Sequence, residues 1–242
     1  MRRQYFIIIF LLSLLNNNVA QNDAPVVVKD NMLWLGYYNS IILNTKWSIN
    51  SDIQFRTRNE LKNYSQALVR SDVSYKLKDR LTFSVGFAHF RYFLTNVKTR
   101  GEWRPWQELK LIDKVGNCKL SHRLRVEQRF NENVKNAEAT NEFQFNFRFR
   151  YRLDLRYPLL KENEAGNNIY VLVGNEIMIN AGNNIIYNYF DQDRLYAGIN
   201  YEINKKISLQ LQYMHIWQQA SNGLTLNSNE VIRFNIYHTI SI

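Results

Sequence analysis

Cysteine is almost missing from this chain. Cys118 is the sole example, so no intramolecular disulfide can form, and an exported chain of this kind must be held together by its secondary structure. Proline and glycine are also sparse, three and nine in 242 residues, fewer than a loop-rich multidomain protein carries. No linker or internal repeat is visible. Beyond residue 20 there is no apolar run approaching the ~20 residues of a membrane-spanning helix. Acidic residues are outnumbered 31 to 21 by Lys and Arg, a formal charge of +10.

The apolar residues are nevertheless plentiful. They make up 45% of the chain, with 14% aromatic and a mean hydropathy of −0.40. Apolar residues that are common yet never clustered are what a membrane barrel leaves in a sequence, because each strand gives half its positions to the interior. The stretch Glu142–Tyr157, EFQFNFRFRYRLDLRY, is the strongest instance. Its odd positions are Phe143, Phe145, Phe147, Phe149, Tyr151, Leu153, Leu155 and Tyr157; its even positions are polar, mostly Arg. Successive side chains of a strand point to opposite faces, so one face is apolar and the other cationic. Ordinary strands run about 5–6 residues, whereas a tilted barrel strand needs about 9–11 in the hydrocarbon alone.

The N-terminus reads as a cleaved export signal over residues 1–20. Arg2 and Arg3 precede the apolar run Tyr5–Leu15, and Ala20 offers a small residue at the cut. No Cys follows to carry a lipoprotein anchor. Residues 21–242 then read as a single barrel domain. Alternation recurs around Trp34, Trp47–Arg58, Gln66–Lys76, Leu81–Ala88, Glu102–Ile112, Leu120–Phe130, Ile169–Ile179, Arg194–Ile203, Ile207–Tyr213 and Ile232–Ile240. Pro105 implies a strand that begins after it or a bulge, and the stretch His89–Phe93 a further bulge or the membrane rim. Tight turns near Asn44, Asp79, Gly116 and Asn204 alternate with longer stretches such as Asn59–Tyr64 and Asn131–Asn141. Eleven strands are clear. An even count requires one more, expected between Ala24 and Tyr38. The expected fold is therefore all-β: a transmembrane antiparallel up-and-down β-barrel of about twelve strands, or ten as the fallback, in a bacterial outer membrane.

Register sends a charged set to the interior: Glu102, Arg104, Glu108, Arg123, Arg125, Glu127, Arg129, Arg148, Arg150, Arg152, Asp154, Arg156, Glu176 and Arg194, with Arg56, Arg70 and Asp72 on earlier strands. Arg forks suit carboxylates, so the set reads either as a structural filling of the lumen or as a narrow path preferring anions. Outer-membrane lipids, lipopolysaccharide, the barrel-assembly machinery and a small anionic solute are the expected partners. Nucleic acid is not, since the basic residues sit at period two inside strands of an exported chain. No catalytic, cofactor or metal constellation is legible. His122, His215 and His238 lie on the apolar phase, as interfacial residues do. A Ser–His pair in contact at one rim would instead indicate a lipid A or phospholipid-modifying enzyme, the alternative function. The five Trp lie toward strand ends, as in interfacial girdles.

Four strings, GEWRPWQ at 101–107, HRLRVEQR at 122–129, RFRYRL at 148–153 and FDQDRLY at 190–196, are similar to those of the bacterial outer-membrane family called domain of unknown function 2490. The resemblance covers about Trp34 to Ile242 and implies an outer-membrane β-barrel, with no activity or ligand attached. The terminal Ile242 departs from the aromatic ending common in such barrels.

Overall fold

The structure, a computed structural model, describes residues 25–59, 62–94, 97–135, 138–160 and 168–242. The expected signal segment lies outside them. Eleven strands form one closed sheet: β1 (Val26–Ile42), β2 (Trp47–Arg58), β3 (Asn63–Lys78), β4 (Leu81–Leu94), β5 (Val97–Val115), β6 (Cys118–Lys135), β7 (Glu138–Pro158), β8 (Asn168–Ala181), β9 (Phe190–Glu202), β10 (Ile207–Gln219) and β11 (Thr225–Ser241). Consecutive strands pair antiparallel, and β7, at 21 residues the longest, contains the Phe/Arg stretch.

The alternation resolves as a wall with lipid-type residues outside. Phe143, Phe145, Phe147, Phe149, Ile53, Val85, Leu211 and Ile232 are exposed on the outer face, while Arg148, Arg150, Glu127 and Asn235 are buried inside. This is the inverse of a soluble protein, and the strands close into one sheet whose ladders take up the backbone polar groups of the wall.

The count is eleven, and the additional strand expected between Ala24 and Tyr38 does not exist among the described residues. Val26–Ile42 is one uninterrupted strand that pairs with β11 over its whole length, from Val26↔Thr225 to Ile42↔Ser241. That closing pair is parallel, which is how an odd number of alternating strands meets itself. Both β1 and β11 therefore start at the same rim. We call this the loop rim; it carries the connections after β2, β4, β6, β8 and β10. The opposite, turn rim carries those after β1, β3, β5, β7 and β9. The ladder between β1 and β2 starts only at Trp34↔Arg56, so Val26–Leu33 has a ladder partner on one side alone.

Turn chemistry repeats at the turn rim. Asn44 Oδ1 accepts from the amides of Lys46 and Trp47, both at 2.9 Å, and Asn204 Oδ1 accepts likewise from Lys206 and Ile207 at 2.8 and 2.9 Å. Side-chain amides of this kind imitate a backbone turn. The expected alternation of short turns with longer loops is not found: both sets of connections run from two residues to eight or nine, and the longest, between Pro158 and Asn168, is at the turn rim. Residues 131–135 and 138–141, expected as loop, are strand, because the ladder runs on through Val134↔Ala139 and Lys135↔Glu138. Pro105 neither starts β5 nor bulges it. It pairs opposite Phe87, and the β5–β6 ladder skips only Arg104 and Pro105 before resuming in the same register. The missing amide hydrogen thus interrupts bonding locally. His89–Phe93 also stays in phase, with an irregularity only between Tyr92 and Leu94. What changes along β4 is the interior, which becomes apolar at Ala88 and Phe90 beside Leu68.

The parity has a direct test. In a Cys118→Ser background, single cysteines placed at Val26 and at Ile242 will react with a membrane-impermeant maleimide from opposite faces of oriented vesicles. Labelling of both from one face would require an even strand count.

Candidate functional site

The interior faces of β5 to β8 carry the charged set in rows set by the ladder. Lys110, Arg123, Arg152, Glu176 and Arg194 form one row across β5 to β9; Glu108, Arg125 and Arg150 form the next. Direct cross-strand neighbours therefore include like charges, Arg123 opposite Arg152 and Arg125 opposite Arg150, an arrangement that destabilises a sheet unless relieved.

Four carboxylates relieve it by being shared. Glu102 accepts from Arg104 Nε and Arg129 Nε, each at 2.5 Å, and from the Tyr92 hydroxyl at 2.7 Å. Glu108 faces Arg125 at 2.6 Å and Arg123 at 3.5 Å. Glu127 pairs with Arg150 and lies 3.6 Å from Arg104 and 3.9 Å from Arg125. Glu176 pairs with Arg123, with Arg150 at 2.8 Å and with Arg194 at 3.9 Å. A carboxylate offers about four lone-pair sites, so each can serve two or three guanidinium forks. Around this lattice stand four further pairs: Arg70–Asp52 at 2.9 Å and Arg148–Asp191, Arg152–Asp154 and Arg156–Glu202, each at 2.7 Å.

The lattice is dry. Glu102, Glu127 and Glu176 are 0%, 2% and 3% exposed. Aromatic faces complete the coordination of the guanidiniums, with Arg104 3.7 Å over Phe90, Arg125 3.8 Å over Trp106 and Arg56 3.8 Å over Trp34. Stacking of this kind suits the planar, weakly hydrated guanidinium. Gly86 makes room for one such plate: a Cβ there would come within 2.3 Å of the Trp106 indole.

Two of the five Trp thus differ from the expected girdle. Trp34 and Trp106 are 5% and 3% exposed inside the barrel, whereas Trp47 and Trp103 face outward at 43% and 40%. The signal was present, because Trp106 shares its parity with Glu102, Arg104 and Glu108. Asp191 is a partner that alternation could not find. Gln192 holds the inward phase opposite Met178, but the β8–β9 register shifts between Met178 and Ile179 and leaves Asp191 out of the ladder, aimed inward.

Toward the loop rim the interior turns apolar, with Met178, Met214, Ile216 and Val231 buried and Ile185 of the β8–β9 connection folded in with them. Toward the turn rim it opens into a vestibule of about 460 Å³ whose floor includes Phe90, Arg104, Trp106 and Arg148. Ten Arg and Lys110 line it against four carboxylates, Asp52, Asp72, Glu108 and Glu176. On the β1–β2–β11 wall, Arg56, Trp34 and Arg233 occupy one row. Among the described residues Arg56 bonds only neutral acceptors, Gln66 and Gln54 at 3.0 and 3.1 Å. Arg233 likewise bonds Asn235, Gln212 and the Tyr38 hydroxyl.

Removing one shared carboxylate will expose the dependence of the lattice on it. Glu102→Gln keeps the shape but leaves buried Arg129 without a carboxylate and Arg104 with only Glu127 at 3.6 Å, and will lower unfolding stability in lipid by about 3–5 kcal/mol, seen as a fall in urea midpoint. Glu142→Gln, at an exposed position, will change it by no more than about 0.5 kcal/mol. Equal shifts for the two variants would refute the lattice as a stabilising unit.

Comparison with known proteins follows this geometry. A solved structure of the NanC porin, in a rhombohedral crystal form, is similar at 15% sequence identity and a TM-score of 0.49, over 82% of this chain and 94% of that one. No curated protein is significantly similar to the chain. The family model described as Protein of unknown function (DUF2490) matches residues 31–227, and the chain belongs to that family.

Proposed function

We propose that this chain is an outer-membrane barrel whose lumen is stoppered by its own side chains, leaving a blind cationic vestibule that takes up small anions. The exposed apolar band and the closed sheet support residence in a bilayer, and the N-terminal pattern of residues 1–20 suits export. With the turn rim and its Asn44 and Asn204 turns placed at the periplasm, the vestibule opens inward. Of the two forms the reading takes, structural protein or narrow anion-preferring channel, the dry lattice favours the first. Any current that leaks past it is carried by anions.

The observation that carries the reading is the unequal distribution of charge in the vestibule. Its four carboxylates, Asp52, Asp72, Glu108 and Glu176, face ten Arg, and Asp52 is taken up by Arg70 at 2.9 Å, whereas Arg56 and Arg233 flank Trp34 with neutral hydrogen-bond partners only. Two guanidinium forks and an aromatic plate in a concave, partly desolvated site fit a carboxylate or phosphate group. A lipid-modifying enzyme is the second reading, and one contact favours it: Ser228 Oγ lies 3.1 Å from His215 Nε2 on the outer face.

In planar bilayers under a salt gradient the wild-type barrel will show little or no steady current, with a reversal potential favouring anions where current is seen. Calorimetric titration of the detergent-solubilised protein with citrate or inorganic phosphate will show saturable binding. Arg56→Gln combined with Arg233→Gln will weaken it about tenfold or more, the equivalent of about 1.4 kcal/mol. A large cation-preferring conductance, or anion binding indifferent to the double substitution, would overturn the proposal.

A further inference from the structure

The outer face of β1, β11 and β10 is apolar in three successive rows: Tyr37–Ile236–Leu209, Leu35–Phe234–Leu211 and Leu33–Ile232–Tyr213. It then changes abruptly. The next row toward the loop rim is Asn31–Glu230–His215, and the one beyond it is Lys29–Ser228–Trp217. This step from hydrocarbon-type to polar side chains marks the level at which a bilayer places its head groups and ester linkages.

At that step the sheet is indented. Because Val26–Leu33 lacks a ladder with β2, a cleft of about 580 Å³ opens beside it, lined by Lys29, Asn31, Asn59, His215, Ser228 and Glu230 among others. Within it Ser228 Oγ and His215 Nε2 are 3.1 Å apart. His215 packs on Trp217 with ring centroids 4.0 Å apart. Glu230 stands directly across the β10–β11 ladder from His215, and Lys29 directly across the β1–β11 ladder from Ser228. The other three histidines of the chain differ. His122 and His238 bond the phenols of Tyr151 and Tyr37 at 2.8 and 2.9 Å, and His89 stacks on Trp103.

From this juxtaposition we infer a serine nucleophile site on the lipid-facing rim, with Ser228 and His215 as catalytic residues and an ester-linked acyl chain of a membrane lipid as substrate. The inference rests on the second reading above, not on the lumen. With the ring proton on Nδ1, His215 Nε2 accepts the Ser228 hydroxyl proton as Oγ bonds to the ester carbonyl carbon. The Lys29 ammonium stands on the side of Ser228 where it offsets the charge developing on the carbonyl oxygen. Collapse of the tetrahedral adduct breaks the ester C–O bond, and the proton on Nε2 passes to the departing alcohol. Water, deprotonated by His215, then releases the fatty acid and restores Ser228. Glu230 is a positioning residue that favours the imidazolium formed in each half-reaction. The apolar rows below the cleft are where the acyl chain lies.

The full chain in lipid–detergent micelles tests this with a fluorophosphonate probe and mass-spectrometric mapping. Label is expected on Ser228 and absent in Ser228→Ala. Its rate should fall about a hundredfold or more in His215→Asn, within the range of general-base catalysis, and hold in His238→Asn. Fatty acid release from glycerophospholipid and from lipopolysaccharide, assayed separately, identifies which lipid carries the ester. Heat-dependent gel migration reports folding of each variant, and a requirement for detergent tests membrane residence independently. A folded barrel with no label on Ser228, or with labelling indifferent to His215→Asn, overturns the site; labelling with release from neither lipid overturns the substrate.

Discussion

Placing guanidinium groups where water is scarce is the constraint on which the rest of this barrel depends. The pleat sends every second residue inward, and lipid on the outside leaves no other place for charge. β7 alone delivers Arg148, Arg150, Arg152 and Arg156 to the interior. An unpaired buried guanidinium costs several kcal/mol, so β7 could not form its middle without carboxylates on neighbouring strands. Glu127 on β6 and Glu176 on β8 reach Arg150 from either side, which ties three strands through one residue. Glu102 and Glu108 on β5 extend the same device to β6. The lattice therefore fixes strand register as well as filling space: a slip of one residue would send its Arg side chains into lipid and its Phe side chains inward.

Charge sharing is local, and this gives the barrel two unlike walls. The β5–β8 side is dense and dry, its guanidiniums tied to shared carboxylates. On the β1, β2 and β11 side the carboxylate lining the vestibule, Asp52, is taken by Arg70 of β3, and Arg56 and Arg233 have amides and a phenol as acceptors. Such neutral acceptors orient a guanidinium without cancelling its field, so a cationic surface persists where the interior widens toward the turn rim. On the proposed reading, such a lumen holds an anion rather than passing one.

Much of this was legible in the alternation itself. Period two over sixteen residues of β7 fixed both the strand and its faces, and the parity of Glu102, Arg104, Glu108, Arg123, Arg125 and Glu127 placed them on the inner face. Three features were out of reach for physical reasons. Strand parity is a property of closure: the pattern of β1 looks the same whether its partner β11 runs parallel or antiparallel. Asp191 joins Arg148 only because the β8–β9 register slips between Met178 and Ile179, and such a slip leaves no trace in residue type. Trp34 and Trp106 had the inward parity, but aromatic residues near strand ends suit a girdle equally well, and only the guanidiniums stacked on them distinguish the two roles.

The unequal lengths of β1 and β2, 17 and 12 residues, also shape the rim. Here β1 follows β11 from Val26 onward, while β2 joins only from Trp34. Side-chain bonds partly bridge the difference, with Leu33 N donating to Thr57 Oγ1 and Asn59 N donating to Asp30 Oδ1. They hold the β2–β3 connection beside β1 without sealing it. A concavity remains at the height where the outer face changes from apolar to polar, and the residues that the ladder delivers there are a serine, a histidine, a carboxylate and an ammonium. Binding energy for a lipid at such a place comes from the apolar rows beneath, and the polar rows above need supply only orientation and charge.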